Sequence, residues 1–318
     1  MKSKIIPIIV AAVCGAALAA CSGEDNVPEP GAGKSSPVFT ATIGDTHSRA
    51  LDSSWEAGDE IGISGAGSAN VCYLTKDGAG KFSVKTPGTE IYFLDDEEVT
   101  FTAYYPWSAL TAAPSVSADT RMQASQKSFD FLWAQASGKK AAPEVAFAFA
   151  HRMTKIALTV KAGNGVDLEA VNSAAMSLAG FRVTGAFSTA DGSTATEAAA
   201  PEWEFAGNEN AAYNSPVTIS DAQSAATYSL IFFPQLLDAP LPFTAVLPGG
   251  HILKAEIDFT AANSGKDGDA ARNEWVAGRQ YNLTVTLNKT GISLDGCTII
   301  PWNEVSGGNI DADQNFGN

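Results

Sequence analysis

Apolar and polar residues alternate with a period of two along several short stretches of this chain, which indicates that β-strands make up most of its fold. The clearest stretches are residues 156–161, 253–259 and 281–287. In the last of them, Tyr281, Leu283, Val285 and Leu287 alternate with polar residues. Successive side chains of a strand point to opposite faces, so this pattern places one face on a core and the other in water, as in antiparallel sheets.

Shorter apolar runs predict further strands, among them Val38–Ile43, Val99–Tyr105 and residues 129–133. Breaks rich in Gly and Asp separate such runs and indicate turns. The Ala-rich stretches near residues 109–119 and 195–200 are predicted to be short helices or loops. Many short strands with frequent turns favour β-sandwiches over a parallel α/β sheet.

The predicted fold class is therefore all-β, with two β-sandwich domains. About 280 residues follow the N-terminal leader and linker, and a single core stops growing at about 250–300 residues. We place the boundary near residue 150, which gives an N-terminal domain of residues 38–150 and a C-terminal domain of residues 151–318.

The first 37 residues combine an export segment with a tether. Residues 1–20 contain two lysines, an apolar run and small residues at the end, which is typical of a secretory signal peptide. The stretch Leu18-Ala19-Ala20-Cys21 resembles a bacterial lipobox, which implies lipidation of Cys21. A transmembrane anchor is the alternative, but the apolar run is shorter than the roughly 20 residues that span a bilayer. Residues 21–37, rich in Pro, Gly, Ser and acidic residues, are predicted to be a flexible linker.

Charge limits the partners of this chain. The sequence holds 35 acidic against 20 basic residues, a net charge of −15, and removal of the leader takes away two lysines. Such a surface repels nucleic acid and anionic membrane, so we predict no nucleic-acid partner. Beyond Cys21 the chain has Cys72 and Cys297 alone. A disulfide between them is allowed outside the cytoplasm, although two buried free cysteines fit better.

The sequence offers no constellation that supports catalysis, and we predict no enzyme, no cofactor and no bound metal. The histidines His47, His151 and His251 lie far apart, and none has a second ligand at metal spacing. His151 begins an alternating strand and is predicted to be structural. The acidic runs at residues 95–98 and 267–269 have oxygen ligands for Ca²⁺, but solvated turns are the commoner explanation.

Several patterns, taken in order, cover nearly the whole chain after the leader. Trp55 precedes Gly58 and Asp59, an aromatic stretch ends at Trp107, and a later strand contains His151. With these patterns taken together, the chain resembles the fimbrillin family of Bacteroidetes, the fimbrillin-like surface lipoproteins. The stretches that carry this resemblance are residues 46–51, 55–63, 102–107, 149–156, 277–287 and 300–302.

The resemblance implies two β-sandwich domains, the first of them transthyretin-like. It also implies export to the cell outer membrane as a surface-exposed lipoprotein with palmitate or another lipid on Cys21, followed by assembly into a fimbrium. In polymerising members an arginine-specific protease cuts after the first strand, and a strand of another fimbrial subunit fills the groove. The matching positions here are Arg49 and Ala50, and the removable strand is Val38–Ile43, with Val38, Phe39 and Ile43 among its residues.

The sequence leaves alternatives open. In the first, Arg49 is an ordinary loop arginine and the lipid anchor stays attached. The end of the chain carries only Val305, Ile310 and Phe316 as large apolar residues, without a period of two, so it predicts a tip or accessory subunit rather than a shaft subunit. The second hypothesis is a monomeric, surface-tethered lipoprotein that binds a host protein or a glycan. Its candidate aromatic residues are Trp107, Trp133 and Trp203.

Overall fold

The computed structural model describes residues 34–44, 54–110, 114–197, 202–207, 215–264 and 271–302. These residues are mostly strands, which confirms the all-β prediction. The strands up to His151 are β1 (Val38–Ile43), β2 (Glu60–Gly65), β3 (Ser68–Leu74), β4 (Lys81–Val84), β5 (Val99–Tyr105), β6 (Ser115–Asp119), β7 (Leu132–Gly138) and β8 (Glu144–His151). A 3₁₀ helix (Gln123–Ser128) lies between β6 and β7.

The later strands alternate with two short helices, α1 (Leu168–Asn172) and α2 (Thr260–Asn263). These strands are β9 (Thr154–Ala162), β10 (Ala175–Leu178), β11 (Thr184–Ser188), β12 (Thr194–Thr196), β13 (Trp203–Ala206), β14 (Val217–Ser220), β15 (Ala225–Phe232), β16 (Gln235–Leu236), β17 (Leu241–Leu247), β18 (His251–Ile257), β19 (Glu274–Trp275), β20 (Arg279–Asn288) and β21 (Gly291–Pro301).

All the described strands before residue 152 except β6 close on themselves as a barrel, in the hydrogen-bonded order β1-β4-β3-β2-β5-β7-β8. Strand β8 alternates strictly, with Val145, Phe147 and Phe149 buried and the residues between them exposed. Inward-facing side chains of this kind form one cluster, the barrel core. The sequence predicted a sandwich for this part of the chain, whereas the structure has a closed barrel in which hydrogen bonds connect every strand to its neighbours. The transthyretin-like topology stays a prediction.

The later strands form two main sheets over a second cluster of buried side chains, the sandwich core. One sheet has the order β14-β15-β9-β20-β21, and the other has the order β13-β10-β17-β18. Strand β9 pairs parallel with β20 and antiparallel with β15, so it lies at the middle of its sheet. Its residues Ile156, Leu158 and Val160 are buried, as their alternation predicts.

A third cluster of buried residues joins the two groups of strands. This bridging cluster combines Tyr104, Phe129, Phe131, Met153, Phe187, Ile231, Phe233 and Trp302. Strand β6 also pairs with β11 across the predicted boundary. The described residues from Ser35 onward belong to one compact unit, and the division into two domains near residue 150 stays a prediction.

Two local predictions were wrong. The stretch at residues 129–133 is not a strand throughout, because Phe129 and Phe131 lie between the 3₁₀ helix and β7. Their apolar character reflects burial in the bridging cluster instead. The Ala-rich stretches near residues 109–119 and 195–200 contribute strands β6 and β12, which pair on either side of β11.

Candidate functional site around the first strand

Strand β1 lies between β4 and β8 and is hydrogen-bonded on both of its edges. It pairs parallel with β8 in a register that runs from Val38 opposite Glu144 to Ile43 opposite Phe149. Its antiparallel pairing with β4 is shorter and joins Phe39 to Phe82 and Thr40 to Lys81. The predicted strand Val38–Ile43 is therefore confirmed as a strand, and it is the one that closes the barrel between β4 and β8.

Alternate residues of β1 enter the barrel core. Phe39, Ala41 and Ile43 are 1%, 5% and 8% exposed, whereas Val38 is 53% exposed. Burial of a large apolar side chain stabilises a fold by about 1.5–3 kcal/mol. Strand β1 therefore contributes both side-chain burial and hydrogen bonds to the barrel.

Trp55 fixes the middle of β1 from outside the strand. Its indole Nε1–H donates a hydrogen bond of 2.9 Å to the Ala41 carbonyl oxygen. Its ring packs edge-on against Phe82, Tyr105 and Phe149 at centroid distances of 5.1, 5.5 and 5.3 Å. The Trp55 ring and the Ala41 carbonyl are thus held together inside the barrel. The hydrogen bond stabilises the fold, because a buried polar group without a partner costs free energy.

The turn before β4 supports the same point of β1. The Ala41 N–H donates to the Gly80 carbonyl oxygen at 2.8 Å. Gly80 has φ of +76°, and a Cβ added there would collide with the Ala41 carbonyl oxygen. Glycine is therefore required at residue 80 both for its backbone conformation and for this close approach. This role was not predicted from the sequence, although the Gly-rich turn at residues 77–80 is a signal for it.

A cavity of about 270 Å³ adjoins the end of β1. Ile43 and Trp55 line it on the barrel side, together with Asp59, Lys127 and Tyr105. The buried Asp59 carboxylate accepts hydrogen bonds from Lys127 Nζ at 3.0 Å and from the Tyr105 hydroxyl at 3.3 Å. Burial and the neighbouring Asp59 carboxylate hold the pKa of Tyr105 far above its ordinary range.

His151 has the structural role predicted for it. Its Nδ1 lies 2.8 Å from Asp130 Oδ1, and its ring stacks on Trp302 with centroids 4.0 Å apart. Asp130 also lines the cavity beside Ile43. The residues quoted for the sequence resemblance thus supply packing contacts of the barrel and of the bridging cluster.

The ends of β1 are anchored by backbone hydrogen bonds. The Val38 N–H donates to the Pro143 carbonyl oxygen, and the Gly44 N–H donates to that of Phe149, both at 2.8 Å. The predicted processing site at Arg49 and Ala50 lies in sequence between β1 and Trp55, outside the described residues. The predicted lipidation site Cys21 also lies outside them.

The family model for fimbrillin-like proteins matches residues 48–302 of this chain. The chain belongs to the fimbrillin-like family. This confirms the resemblance drawn from the sequence motifs. The family comprises structural and adhesion proteins of the fimbrium and cell surface rather than enzymes.

Relatives of this fimbrillin-like chain extend over nearly all of its length. A candidate fimbrium subunit of Bacteroides uniformis, Fim1C, is 29% identical and covers 96% of this chain and 97% of its own. A crystal structure of a candidate cell adhesion protein from Bacteroides uniformis is 25% identical, with a TM-score of 0.64, and covers 86% of this chain and 100% of its own. A similar structure from Bacteroides ovatus, at 23% identity and a TM-score of 0.64, covers 84% and 98% and bears on the fold alone.

The three candidate ligand-binding tryptophans of the fimbrillin-like chain are enclosed to different degrees. Trp203 is 2% exposed in the sandwich core. Trp107 and Trp133 pack against the bridging cluster and remain half-buried. Lys85 Nζ lies 5.4 Å from the Trp107 ring centroid, and the Arg152 guanidinium lies 5.1 Å from that of Trp133. The tryptophans therefore give the glycan-binding alternative little support, because a sugar needs an open aromatic face.

Other predicted features of the fimbrillin-like chain have simple surroundings. Cys72 and Cys297 are free thiols, half-buried rather than buried. The acidic run at residues 95–98 forms an exposed turn in which the Glu97 N–H donates to Asp95 Oδ1 at 3.0 Å, and the second acidic run, at residues 267–269, lies outside the described residues. Within the described residues, no helix has the length and apolar character to span a membrane.

Proposed function

We propose that this chain is a fimbrial subunit whose first strand is removed by cleavage after Arg49 and replaced by a strand of another subunit. The observation that carries this proposal is the position of β1, which closes the barrel between β4 and β8 while alternate side chains fill the core. In the sequence, Arg49 stands between β1 and the rest of the barrel. One cut there leaves β1 held by non-covalent contacts alone.

The physical reason for strand exchange is what β1 would leave behind. Strands β4 and β8 would become edges with unpaired N–H and C=O groups, and edges of this kind pair readily with another strand. The pockets of Phe39, Ala41 and Ile43 would open to water, at about 1.5–3 kcal/mol for each large apolar side chain lost. An incoming strand that restores both kinds of contact would therefore bind tightly.

Lipidation fits the same sequence of events. A lipid on Cys21 would carry the precursor to the outer membrane and hold it at the cell surface. Cleavage after Arg49 would then release the lipid, the linker and β1 together, because all three precede Arg49 in the sequence. We place the subunit at the tip or in an accessory position, since residues 303–318 lack the alternating anchors of a donor strand.

The test is controlled proteolysis of the full chain after removal of the leader. Treatment with a purified arginine-specific protease, followed by electrophoresis without boiling, should give species larger than the monomer once a donor subunit from the same fimbrium is added. The Arg49→Ala variant should stay monomeric under the same conditions. Clean cleavage after Arg49 without any association with donor subunits would overturn the proposal.

A further inference from the structure

We propose, on the basis of the strand exchange proposed above, that the groove left by β1 selects an incoming strand with the pattern aromatic, any residue, small, any residue, large apolar. The central, small position is that of Ala41, whose side chain is buried in the barrel core while Trp55 and Gly80 hold its backbone. The three inward positions of β1, occupied now by Phe39, Ala41 and Ile43, differ in how closely their surroundings confine them.

The first position is an aromatic pocket. The Phe39 ring meets Tyr73 and Phe101 edge-on at centroid distances of 5.0 and 5.4 Å, and it stacks on Phe147 at 5.8 Å. Aromatic pairs in these arrangements contribute beyond the area they bury. Since Phe39 is 1% exposed, an aromatic side chain at this position fills the pocket, and an aliphatic one forfeits the ring contacts.

The central position is held along one edge of its backbone, the edge that faces β4. The Trp55 indole N–H holds the Ala41 carbonyl oxygen, and the Gly80 carbonyl holds the Ala41 N–H. The Trp55 ring packs against Phe82, Tyr105 and Phe149, and it also borders the cavity beside Ile43. The Ala41 side chain is 5% exposed within the barrel core, so a larger side chain at this position would overpack an interior that is already filled.

The third position has room beside it. Ile43 lines the cavity of about 270 Å³ together with Tyr105 and Leu132. A longer apolar side chain at this position can extend into that space without displacing the aromatic ring of Trp55. The groove therefore accepts larger side chains at the third position but not at the second.

The chain's own C-terminal segment does not match this pattern. Within residues 303–318, Ile310 and Ala312 have the spacing of a large and a small position, but Gln314 is polar where the next anchor would stand. Phe316 has Asn318 two residues later. The strand that this groove accepts is therefore one from a different subunit that carries the full pattern.

Synthetic peptides test the inference on the full chain after leader removal, cut after Arg49 by the arginine-specific protease and separated in mild urea from the released fragment that carries β1. Fluorescent peptides of residues 36–44 carry the native sequence, Ala41→Leu or Ile43→Phe, and fluorescence anisotropy gives their dissociation constants. We expect Ala41→Leu to bind about tenfold more weakly or worse, as overpacking predicts. Ile43→Phe should stay within about threefold of the native peptide, because the cavity receives the larger ring.

A pair of protein variants gives a second readout. Gly80→Ala should weaken binding of the native peptide by about tenfold or more, because the added Cβ meets the central carbonyl of the bound strand. Gly88→Ala is the matched control, since Gly88 also has positive φ but open space around its Cα. If Gly80→Ala does not fold, the peptide series on the native chain still decides.

The outcomes separate the inference from the function on which it rests. Equal binding of the native and Ala41→Leu peptides overturns the inference and leaves strand exchange standing. Failure of every peptide, including the native one, to bind the cut protein overturns strand exchange and the inference with it. Loss of Ala41→Leu binding with retention of Ile43→Phe binding supports both.

Discussion

At the scale of single residues, Trp55 is the side chain that contributes most to keeping β1 in the barrel. Its indole links a buried backbone carbonyl of β1 to three aromatic rings of the barrel core. Trp55 is buried beside the Asp59 turn, where the Glu56 N–H donates to Asp59 Oδ2 at 2.8 Å. The hydrogen bond to Ala41 was not predictable, because it joins residues that only the folded barrel brings together.

Replacement of Trp55 by Phe should destabilise the protein by about 1–3 kcal/mol, the cost of leaving a buried carbonyl unpaired, in addition to any cost of the smaller ring. The measurement is the free energy of unfolding in urea. Trp107→Phe is the control, because Trp107 is half-buried and its N–H lies at the longer distance of 3.4 Å from the Asn70 carbonyl oxygen. Equal losses for the two variants would contradict the role given to Trp55.

The two thiols of the folded part should be unreactive near neutral pH. Burial, with Glu60 nearby, raises the pKa of Cys72 to about 12, and burial raises that of Cys297 to about 12. The thiolate is the reactive form, so both cysteines stay protonated at pH 8 and react only as the pH approaches 12 or when the protein unfolds.

A chain beginning at Ser22 contains these two cysteines alone. Alkylation by iodoacetamide at pH 8, followed by mass spectrometry, should be slower by about a hundredfold or more than in urea. Fast labelling of either cysteine in the native protein would show that its thiol is not shielded as the structure indicates.

At the scale of secondary structure, period-two alternation predicted the strands that are buried on one face. Strands β1 and β5 have the predicted bounds, β9 and β20 contain their predicted alternating stretches, and β18 contains residues 253–257 of the stretch predicted at 253–259. These elements were predictable because their own side chains record which face meets the core. For the candidate site the sequence predicted the strand with Val38, Phe39 and Ile43 among its residues, and the structure shows that the inward set is Phe39, Ala41 and Ile43, with Val38 53% exposed.

Strands β6 and β12 were not predicted, because β6 is mostly Ser, Ala and Asp and β12 is only three residues long. They are strands because they pair with β11, and that pairing is a tertiary interaction that overrides local preference. Closure of the barrel between β1 and β8 was likewise beyond sequence reasoning. Strand β1 lies about a hundred residues before β8, and no local pattern records their parallel register.

At the scale of the whole molecule, the site of β1 is connected to the strands beyond residue 152. The cavity beside Ile43 is also lined by Lys155 of β9 and by Ser229 and Ile231 of β15. Ile231 belongs to the bridging cluster that packs both groups of strands together. Removal of β1 therefore opens the barrel on a side already supported by the later sheets, which favours a stable acceptor over a collapsed one.

The central claim is that β1 is a temporary occupant of its groove. Its most direct test is the mass of the subunit inside assembled species, measured by denaturing mass spectrometry of fimbrial material or of complexes formed after cleavage. A subunit that begins at Ala50 and lacks Val38–Ile43 is the predicted result. Assembled subunits that retain Val38–Ile43, whether or not Cys21 carries lipid, would contradict the claim.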